Sequence, residues 1–176
     1  TVFAHHTGLD ALTFSHQDFF VFAKRENLHD AITLCGENHA LWLDFLFSFC
    51  VQPHLGKNAL CMIYDYPACQ SSLARLNVNN TLLTERVEVF INGVELGNGF
   101  YELTHAAEQN ARFDAEISMR KNEHLPLAIK DTRLISALEA GLPDCAGIAI
   151  GLDRLLMMLE KSAAISDVLS FDVTRA

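Results

Sequence analysis

Apolar positions in the first third of the chain are spaced as on one face of a helix. Leu28, Ile32 and the apolar run at 41–49 follow this spacing and predict helices separated by loops. Residues 59–66 instead form a short apolar and aromatic run that ends at Pro67, which predicts a buried strand. A helical N-terminal part followed by a sheet is therefore expected.

The alternation of apolar and polar side chains at residues 85–91 predicts a strand with one buried face. Asn92 and Gly93 follow, and this dipeptide favours a two-residue type I′ turn between antiparallel strands. The returning strand is expected at 94–103, so the pattern predicts a β-hairpin.

The remaining pattern predicts two helices, a strand of small residues, a third helix and a short tail. The predicted ranges are 106–121 and 132–140 for the first two helices, 145–151 for a buried strand, 152–161 for the last helix, and 165–173 for a tail that forms a strand or turn. Strands and helices do not alternate regularly, so the predicted fold class is α+β, with an antiparallel sheet flanked by helices.

Composition narrows the class of protein. The chain has 176 residues, 50% of them hydrophobic, which is enough for a single domain over 1–176. The net charge of -9 and the lack of a Lys/Arg cluster argue against DNA as a partner. No apolar stretch is long enough to span a membrane, and the five cysteines have irregular spacing without a CxxC pair. We therefore expect a cytoplasmic protein with reduced thiols and no membrane partner.

Two glutamates on the predicted hairpin are candidates for metal binding. Pairing counted from the turn places Glu88 opposite Gly97, with Glu88 and Glu95 on one face roughly 7 Å apart. Two carboxylates at that distance repel by about 2.4 kcal/mol at an effective dielectric constant of ~20. A buried face would hold both only with a cation between them, and oxygen ligands suit Mg²⁺. The alternative is an exposed face with two ordinary surface glutamates.

The returning strand carries Asn98 between Gly97 and Gly99, a pattern typical of a bulge or of close approach by a ligand. Phe100 and Glu102 follow two positions apart and therefore share one face. An aromatic ring beside a carboxylate favours an alkyl ammonium group, through cation–π attraction and charge. A core phenylalanine with a solvated glutamate is the alternative.

Small residues fill the predicted strand that ends at Gly151, and they let a ligand lie close to the backbone. Arg154 opens the following helix, where its guanidinium can bind a phosphate through two hydrogen bonds. Taken alone, a glycine-rich strand before a helix is common and indicates little.

Taken in order, these segments resemble class II lysyl-tRNA synthetases. Residues 85–88 and 94–103 are similar to the lysine-site hairpin of that family, which spans 85–103, and the region 141–161 is similar to class II motif 3. The resemblance implies an α+β fold that forms part of a class II catalytic domain. No counterpart is found of motif 1, which forms the dimer interface, or of motif 2, which binds the α-phosphate.

Within that family the chain is most similar to the short paralogue that ligates (R)-β-lysine to a lysine of elongation factor P. Ala149 stands where lysyl-tRNA synthetases have glycine, and its methyl group would favour an amino acid whose amino group is shifted. Residues 171–176 are also similar to the end of that paralogue. The implied substrates are lysine or (R)-β-lysine with ATP and Mg²⁺, and the implied acceptor is elongation factor P.

The resemblance implies roles for residues on the ATP side. Glu88 and Glu95 hold Mg²⁺ together with ATP. Gly151 lies near the nucleotide, and Arg154 binds the γ-phosphate as the catalytic residue.

It also implies roles on the lysine side. Glu102 binds the side-chain ammonium group together with Phe100. Asn98 lies close to the metal and the substrate, and Ala149 shapes the amino-acid pocket.

The implied reaction has two steps. The lysine carboxylate attacks the α-phosphate of ATP to give lysyl-adenylate and pyrophosphate, and an acceptor amine then takes the lysyl group. Because the motif 1 and motif 2 portion is absent, we expect this chain alone to be inactive, and to self-associate or need a complementary chain. The full-length family is implied to be a homodimer. Two alternatives stay open: a non-catalytic synthetase-like protein that binds a ligand or partner, and a fragment of a true lysyl-tRNA synthetase.

Overall fold

The computed structural model describes residues 1–173 and confirms the α+β prediction. Within this described part, a four-stranded antiparallel sheet in the order β1-β2-β3-β4 is flanked by seven α-helices. The strands are β1 (Cys61–Pro67), β2 (Leu83–Ile91), β3 (Val94–Tyr101) and β4 (Ala146–Ile150). The helices are α1 (Val2–Thr7), α2 (His16–Arg25), α3 (His29–Cys35), α4 (His39–Leu46), α5 (Ala106–Asn122), α6 (Thr132–Ala140) and α7 (Leu152–Leu159). Residues 174–176, part of the segment similar to the paralogue's end, lie outside the described residues.

The N-terminal helices bury their apolar faces against one another and against the sheet. Phe19 of α2 stacks on Trp42 of α4 with ring centroids 4.7 Å apart, and Trp42 Nε1 donates a hydrogen bond to the Gly36 carbonyl at 2.9 Å. Phe47, in the single π-helical turn after α4, contacts Phe90 of β2 with ring centroids 5.8 Å apart. These contacts join the predicted helical part and the sheet in one core.

The predicted hairpin between β2 and β3 is confirmed. Asn92 and Gly93 have φ angles of 50° and 77°, and a type I′ turn requires positive φ at both of its central residues. Ile91 pairs with Val94 across this turn. The twist of such a turn matches that of the two strands, so the turn itself is determined locally.

A β-bulge at Leu96 changes the pairing that the turn alone would give. Phe90 pairs with Glu95, but Val89 pairs with Gly97, which leaves Leu96 as the extra residue. Because side chains alternate along a strand, one extra residue moves every later side chain of β3 to the opposite face.

The predicted pairing of Glu88 with Gly97 is therefore wrong, because Glu88 lies opposite Asn98. The bulged residue takes part in a contact that the hairpin sequence does not contain. The Leu96 carbonyl accepts a hydrogen bond from the Gly151 amide at 2.8 Å. The register of the hairpin thus depends on a segment more than fifty positions further along the chain.

Gly97 and Gly99 let β4 approach β3 closely. A Cβ atom on Gly99 would lie 2.7 Å from the Gly147 carbonyl oxygen. One on Gly97 would lie 3.0 Å from the Ala149 carbonyl oxygen. Of the two interpretations of this glycine pattern, a bulge does occur, but at the preceding residue Leu96. The close approach at Gly97 and Gly99 in this structure is that of β4.

β4 and α7 are apolar but exposed, which contradicts the predicted buried strand. All residues of β4 are exposed, including Ile148 at 49% and Ile150 at 53%. No residue of α7 is buried, and Leu152 and Leu159 are 72% and 70% exposed. The physical reason is that neither face of β4 is covered by another element within residues 1–173, where the strand also forms the edge of the sheet.

The other C-terminal elements follow the prediction closely. α5 differs by one residue and α6 has the predicted bounds, while α7 ends two residues earlier than expected. The tail contains a 3₁₀ turn at Ile165–Asp167. The five cysteines are free thiols. Among residues 1–173, no helix combines the length and the apolar character needed to cross a membrane.

Candidate functional site

The bulge gathers the candidate residues on one side of the sheet, here called the front face. Asn98 lies opposite Glu88 of β2 and opposite Ala149 of β4, and Phe100 lies opposite Gly147. Directly paired residues share a face, so the front face carries these five residues. With the pairing predicted from the turn alone, Asn98 and Phe100 would lie on the other face from Glu88.

Glu88 is a buried carboxylate that accepts hydrogen bonds on both of its oxygens. Tyr66 Oη donates to Oε2 at 2.7 Å, and Asn98 Nδ2 donates to Oε1 at 3.1 Å. Arg86 Nη2 also donates to Oε1 and forms an ion pair with it. The Arg86 guanidinium lies over the Tyr66 ring, 4.7 Å from its centroid. These three donors compensate for the burial of the negative charge.

Glu95 lies near Glu88 but has fewer compensating contacts. Burial raises the pKa of Glu95, and the charge of Glu88 raises it further, while Arg154 opposes the shift. Arg154 Nη1 is 3.7 Å from Glu95 Oε2 and donates a hydrogen bond to the Glu95 carbonyl at 2.8 Å. Burial and Glu88 also raise the pKa of Tyr66, so its phenol stays protonated as a donor. The negative charge of Glu95 is therefore less well compensated than that of Glu88.

The two glutamates fit a divalent cation. Glu88 and Glu95 line a cavity of about 170 Å³ together with Tyr66 and Arg86. Carboxylate oxygens are the ligands that Mg²⁺ prefers, and a cation would relieve the repulsion that contributes to the raised pKa of Glu95. In residues 1–173 no three His, Cys, Asp or Glu side chains are grouped to hold a metal ion. The pair therefore suits a cation that takes further ligands from a phosphate, as Mg²⁺ commonly does.

Glu102 continues the front face beyond Phe100. Its amide donates a hydrogen bond to the Cys145 carbonyl at 3.0 Å, which fixes the end of β3 against the segment before β4. A Cβ atom on Gly147 would lie 3.1 Å from Glu102 Oε1, so the glycine leaves room for this carboxylate. A ring and a carboxylate on one face can receive an alkyl ammonium group.

Gly151 and Arg154 connect β4 to the end of the site that holds Glu95. Gly151 is the N-cap residue of α7, and Arg154 lies in the first turn of that helix. The structure therefore brings the predicted phosphate ligand next to a predicted metal ligand. Glu102 stands seven positions after Glu95, which corresponds to about 20 Å along an extended strand. The candidate ammonium and phosphate positions thus lie at opposite ends of the front face.

Two residues of the site, Tyr66 and Arg86, were not among the site residues predicted from the sequence. A signal existed for Arg86, because it stands two positions before Glu88 on the same strand and so shares its face. Tyr66 had no such signal. Its contact with Glu88 depends on the register of β1 on β2, which shifts between Tyr64 and Tyr66.

The opposite side of the sheet, here called the back face, carries a comparable contact between a tyrosine and a carboxylate. Tyr101 follows Phe100 and therefore points to this side. Tyr101 Oη donates to Asp144 Oδ2 at 2.6 Å, and Arg75 Nη1 donates to Asp144 Oδ1 at 3.2 Å. The Arg75 guanidinium lies 3.3 Å from the Tyr101 ring centroid. This cluster fixes the segment that leads into β4.

Comparison with known proteins identifies the family to which the sequence is similar. The sequence matches the family model of class II tRNA synthetases (D, K and N) over residues 43–175. It is 43% identical to the elongation factor P–(R)-β-lysine ligase of Baumannia cicadellinicola, and 39% identical to the ligases of that name from Enterobacter sp. (strain 638) and Mannheimia succiniciproducens. Each alignment covers 99% of this chain and 53% or 54% of the relative. The chain therefore spans about half the length of the curated relatives that it matches.

Proposed function

The chain belongs to the class II tRNA synthetase family (D, K and N), and on this basis we propose that it forms half of an ATP-dependent ligase. The ligase activates lysine, with (R)-β-lysine preferred, as lysyl-adenylate and transfers it to a lysine of elongation factor P. The observation that carries the proposal is the front face, which has carboxylates suited to a metal at one end and a ring with a carboxylate at the other. The similarity to ligases of that name supports the acceptor.

At the ATP end, Glu88 and Glu95 bind Mg²⁺ together with the phosphates. When bound, the ion would neutralise negative charge on the phosphates. Arg154 binds the γ-phosphate, since its side chain is about half exposed and its guanidinium is only loosely paired with Glu95 Oε2, at 3.7 Å. Gly151 has no side chain, so the nucleotide can lie against the start of α7.

At the lysine end, Glu102 accepts hydrogen bonds from the side-chain ammonium group, and the Phe100 ring attracts the same charge. Ala149 lies on the front face opposite Asn98, where its methyl group limits the space for an α-amino group and favours the β-amino isomer. Asn98 contacts Glu88 at 3.1 Å and lies between the two ends, close to the metal and the substrate. Catalysis then rests on holding the reactants in place and on stabilising charge.

The remaining half of the ligase supplies the motif 1 and motif 2 portion, for which this chain has no counterpart. The exposed edge of β4 and the apolar surface of α7 are consistent with a polypeptide partner that pairs with the strand and covers the helix. We propose that this partner segment carries the counterparts of motifs 1 and 2, that the complete ligase is a homodimer, and that it acts in the cytoplasm. This chain alone is then inactive.

A transfer assay tests the proposal. The chain is mixed with the segment of the Baumannia relative that it does not span, and labelled (R)-β-lysine, ATP and Mg²⁺ are added with either elongation factor P or lysine tRNA. Label on elongation factor P, and more of it with (R)-β-lysine than with α-lysine, is expected. Label on tRNA alone would identify a lysyl-tRNA synthetase fragment. Binding of lysine without any transfer would identify a non-catalytic protein.

A further inference from the structure

Glu88 differs from every other candidate residue in how completely its carboxylate is held. Glu88 is 7% exposed, and Tyr66, which donates to one of its oxygens, is 6% exposed. The other oxygen receives the amide of Asn98 and the guanidinium of Arg86. Because both oxygens are engaged by donors from different elements, the plane of the carboxylate has a single orientation before any ligand arrives.

The two side chains that hold Glu88 from β1 and β2, Tyr66 and Arg86, make further contacts of their own. Arg86 Nη1 donates a hydrogen bond to the Gln70 carbonyl at 3.0 Å, and the guanidinium lies against the Tyr66 ring. Tyr66 lies at the end of β1, and its ring centroid is 6.0 Å from that of Phe47 in the N-terminal core. The side chains that orient Glu88 are therefore anchored to the N-terminal core.

Glu95 is held differently. Its side chain is about one third exposed, and its carboxylate is 3.7 Å from the Arg154 guanidinium. Arg154 belongs to the exposed helix α7, in which no residue is buried. The two glutamates of the cavity thus differ in their contacts: the Glu88 carboxylate accepts from three donors, whereas the Glu95 carboxylate has the Arg154 guanidinium at 3.7 Å.

We propose that Tyr66 and Arg86 are positioning residues that pre-orient Glu88 as the fixed ligand of the divalent cation, while Glu95 is the adjustable ligand. This inference rests on the proposed function for its cation. A pre-oriented ligand loses little conformational freedom when the ion binds, and partners that orient a metal ligand commonly change metal affinity by about 10- to 100-fold when they are removed. Arg86 also offsets part of the charge of Glu88, and the repulsion that remains at Glu95 is what the cation would relieve.

The sheet offers a matched control. Tyr66→Phe removes one hydroxyl that donates to a carboxylate on the front face, and Tyr101→Phe removes one that donates to Asp144 on the back face. Both tyrosines lie beside an arginine guanidinium, but the Tyr66 contact is buried and the Tyr101 contact is exposed. Tyr101→Phe therefore controls for the loss of a tyrosine hydroxyl from the sheet, and the relaxation of the Glu88 carboxyl distinguishes positioning from a general loss of stability.

Two readouts on the full chain test the proposal. In ¹³C relaxation of labelled glutamate carboxyls without metal, we expect Glu88 to be rigid and Glu95 mobile, and Tyr66→Phe to make Glu88 mobile while Tyr101→Phe leaves it unchanged. In Mn²⁺ titration with ATP followed by electron paramagnetic resonance, we expect about 10-fold weaker Mn²⁺ binding for Tyr66→Phe and for Arg86→Lys, with no change for Tyr101→Phe.

The outcomes separate the positioning role of Tyr66 and Arg86 from the proposed function. A Glu88 side chain as mobile as Glu95 in the wild type, or unchanged in Tyr66→Phe, would overturn the positioning role. Equal Mn²⁺ affinity in the wild type and Tyr66→Phe would do the same. A rigid Glu88 in a wild-type chain that binds no Mn²⁺ with ATP, alone or with the complementary segment, would overturn the proposed function, and the assignment of Glu88 to a cation with it.

Discussion

The N-terminal helical core and the β4–α7 segment are both rich in apolar residues, yet only the first is buried. Trp42 and Leu46 are 1% and 0% exposed, whereas Leu152 and Leu159 are 72% and 70% exposed. Apolar spacing predicts which face of an element seeks a partner, but not whether the same chain provides it. Since this chain spans about half the length of its relatives, we interpret the exposed segment as a surface that the rest of the ligase covers.

The candidate site lies across the boundary between these two regions. Glu88 is held by Tyr66 and Arg86, which connect it to the closed core. Ala149 and Arg154, in contrast, lie on the exposed segment. Under the proposed function, the closed region would order the metal end of the site, and the exposed region would need the complementary segment to fix the nucleotide and the substrate.

The largest effect on the free energy of unfolding is expected from the loss of a core side chain. Trp42→Ala should lower the free energy of unfolding by about 3–5 kcal/mol, because it leaves a cavity among packed aromatic rings. Leu159→Ala, on exposed α7, should change it by less than about 0.5 kcal/mol. Urea denaturation followed by circular dichroism measures both. Similar losses for the two variants would remove the contrast between the regions.

The junction between the regions should be sensitive to a single methyl group. Gly99→Ala should destabilise the protein by about 1–3 kcal/mol, because the new Cβ atom would lie 2.7 Å from the Gly147 carbonyl oxygen. Hydrogen–deuterium exchange should show faster exchange of the amides of β4. Gly151→Ala is the matched control, since its Cβ atom would have no neighbour nearer than 3.5 Å. Unchanged exchange in Gly99→Ala would show that β4 is not held by this close approach.

A smaller effect is expected at the start of α2. Ser15 Oγ accepts from the Asp18 amide at 3.2 Å, and Asp18 Oδ2 accepts from the Ser15 amide at 2.7 Å, which completes a capping box. Ser15→Ala should therefore lower the free energy of unfolding by about 1 kcal/mol. Ser118→Ala, within α5, removes only a bond to a helix carbonyl and should cost less. Chemical denaturation of both variants checks this, and equal costs would contradict the importance of the cap.

The smallest effect on stability should come from charging the exposed helix. Replacing Leu152 and Leu159 with lysine should change the unfolding free energy by no more than about 0.5 kcal/mol, because neither side chain is buried. The same double variant should reduce self-association in sedimentation velocity, since it removes apolar surface. A monomeric wild-type chain, or an unchanged association state in the variant, would contradict the interpretation of α7 as an uncovered interface.

Features determined by neighbouring residues were predictable from the sequence, and features set by distant contacts were not. The turn at Asn92 and Gly93 and the bounds of α6 follow from local preferences. The bulge at Leu96 involves a hydrogen bond from Gly151, and the exposure of β4 depends on the absence of a neighbouring strand within residues 1–173.

The same distinction applies to the candidate site. Phe100 and Glu102 share a face because they stand two positions apart, as the sequence indicates. Asn98 reaches the face of Glu88 only through the bulge, and Tyr66 reaches Glu88 only through the packing of β1 on β2. Sequence spacing alone therefore placed Phe100 and Glu102 on one face and gave the wrong partner for Glu88, and the roles of these residues stay predictions.

The central claim, that this chain is half of a lysine-activating ligase, is tested most directly by lysine-dependent ATP–pyrophosphate exchange. We expect no exchange by the chain alone, and exchange with (R)-β-lysine above that with α-lysine once the complementary segment is added. Glu95→Gln should abolish that exchange, because it removes a carboxylate proposed to hold the cation. Exchange by the chain alone that Glu95→Gln abolishes would contradict the division of the site between two segments, and no exchange in the complemented protein would contradict the ligase function.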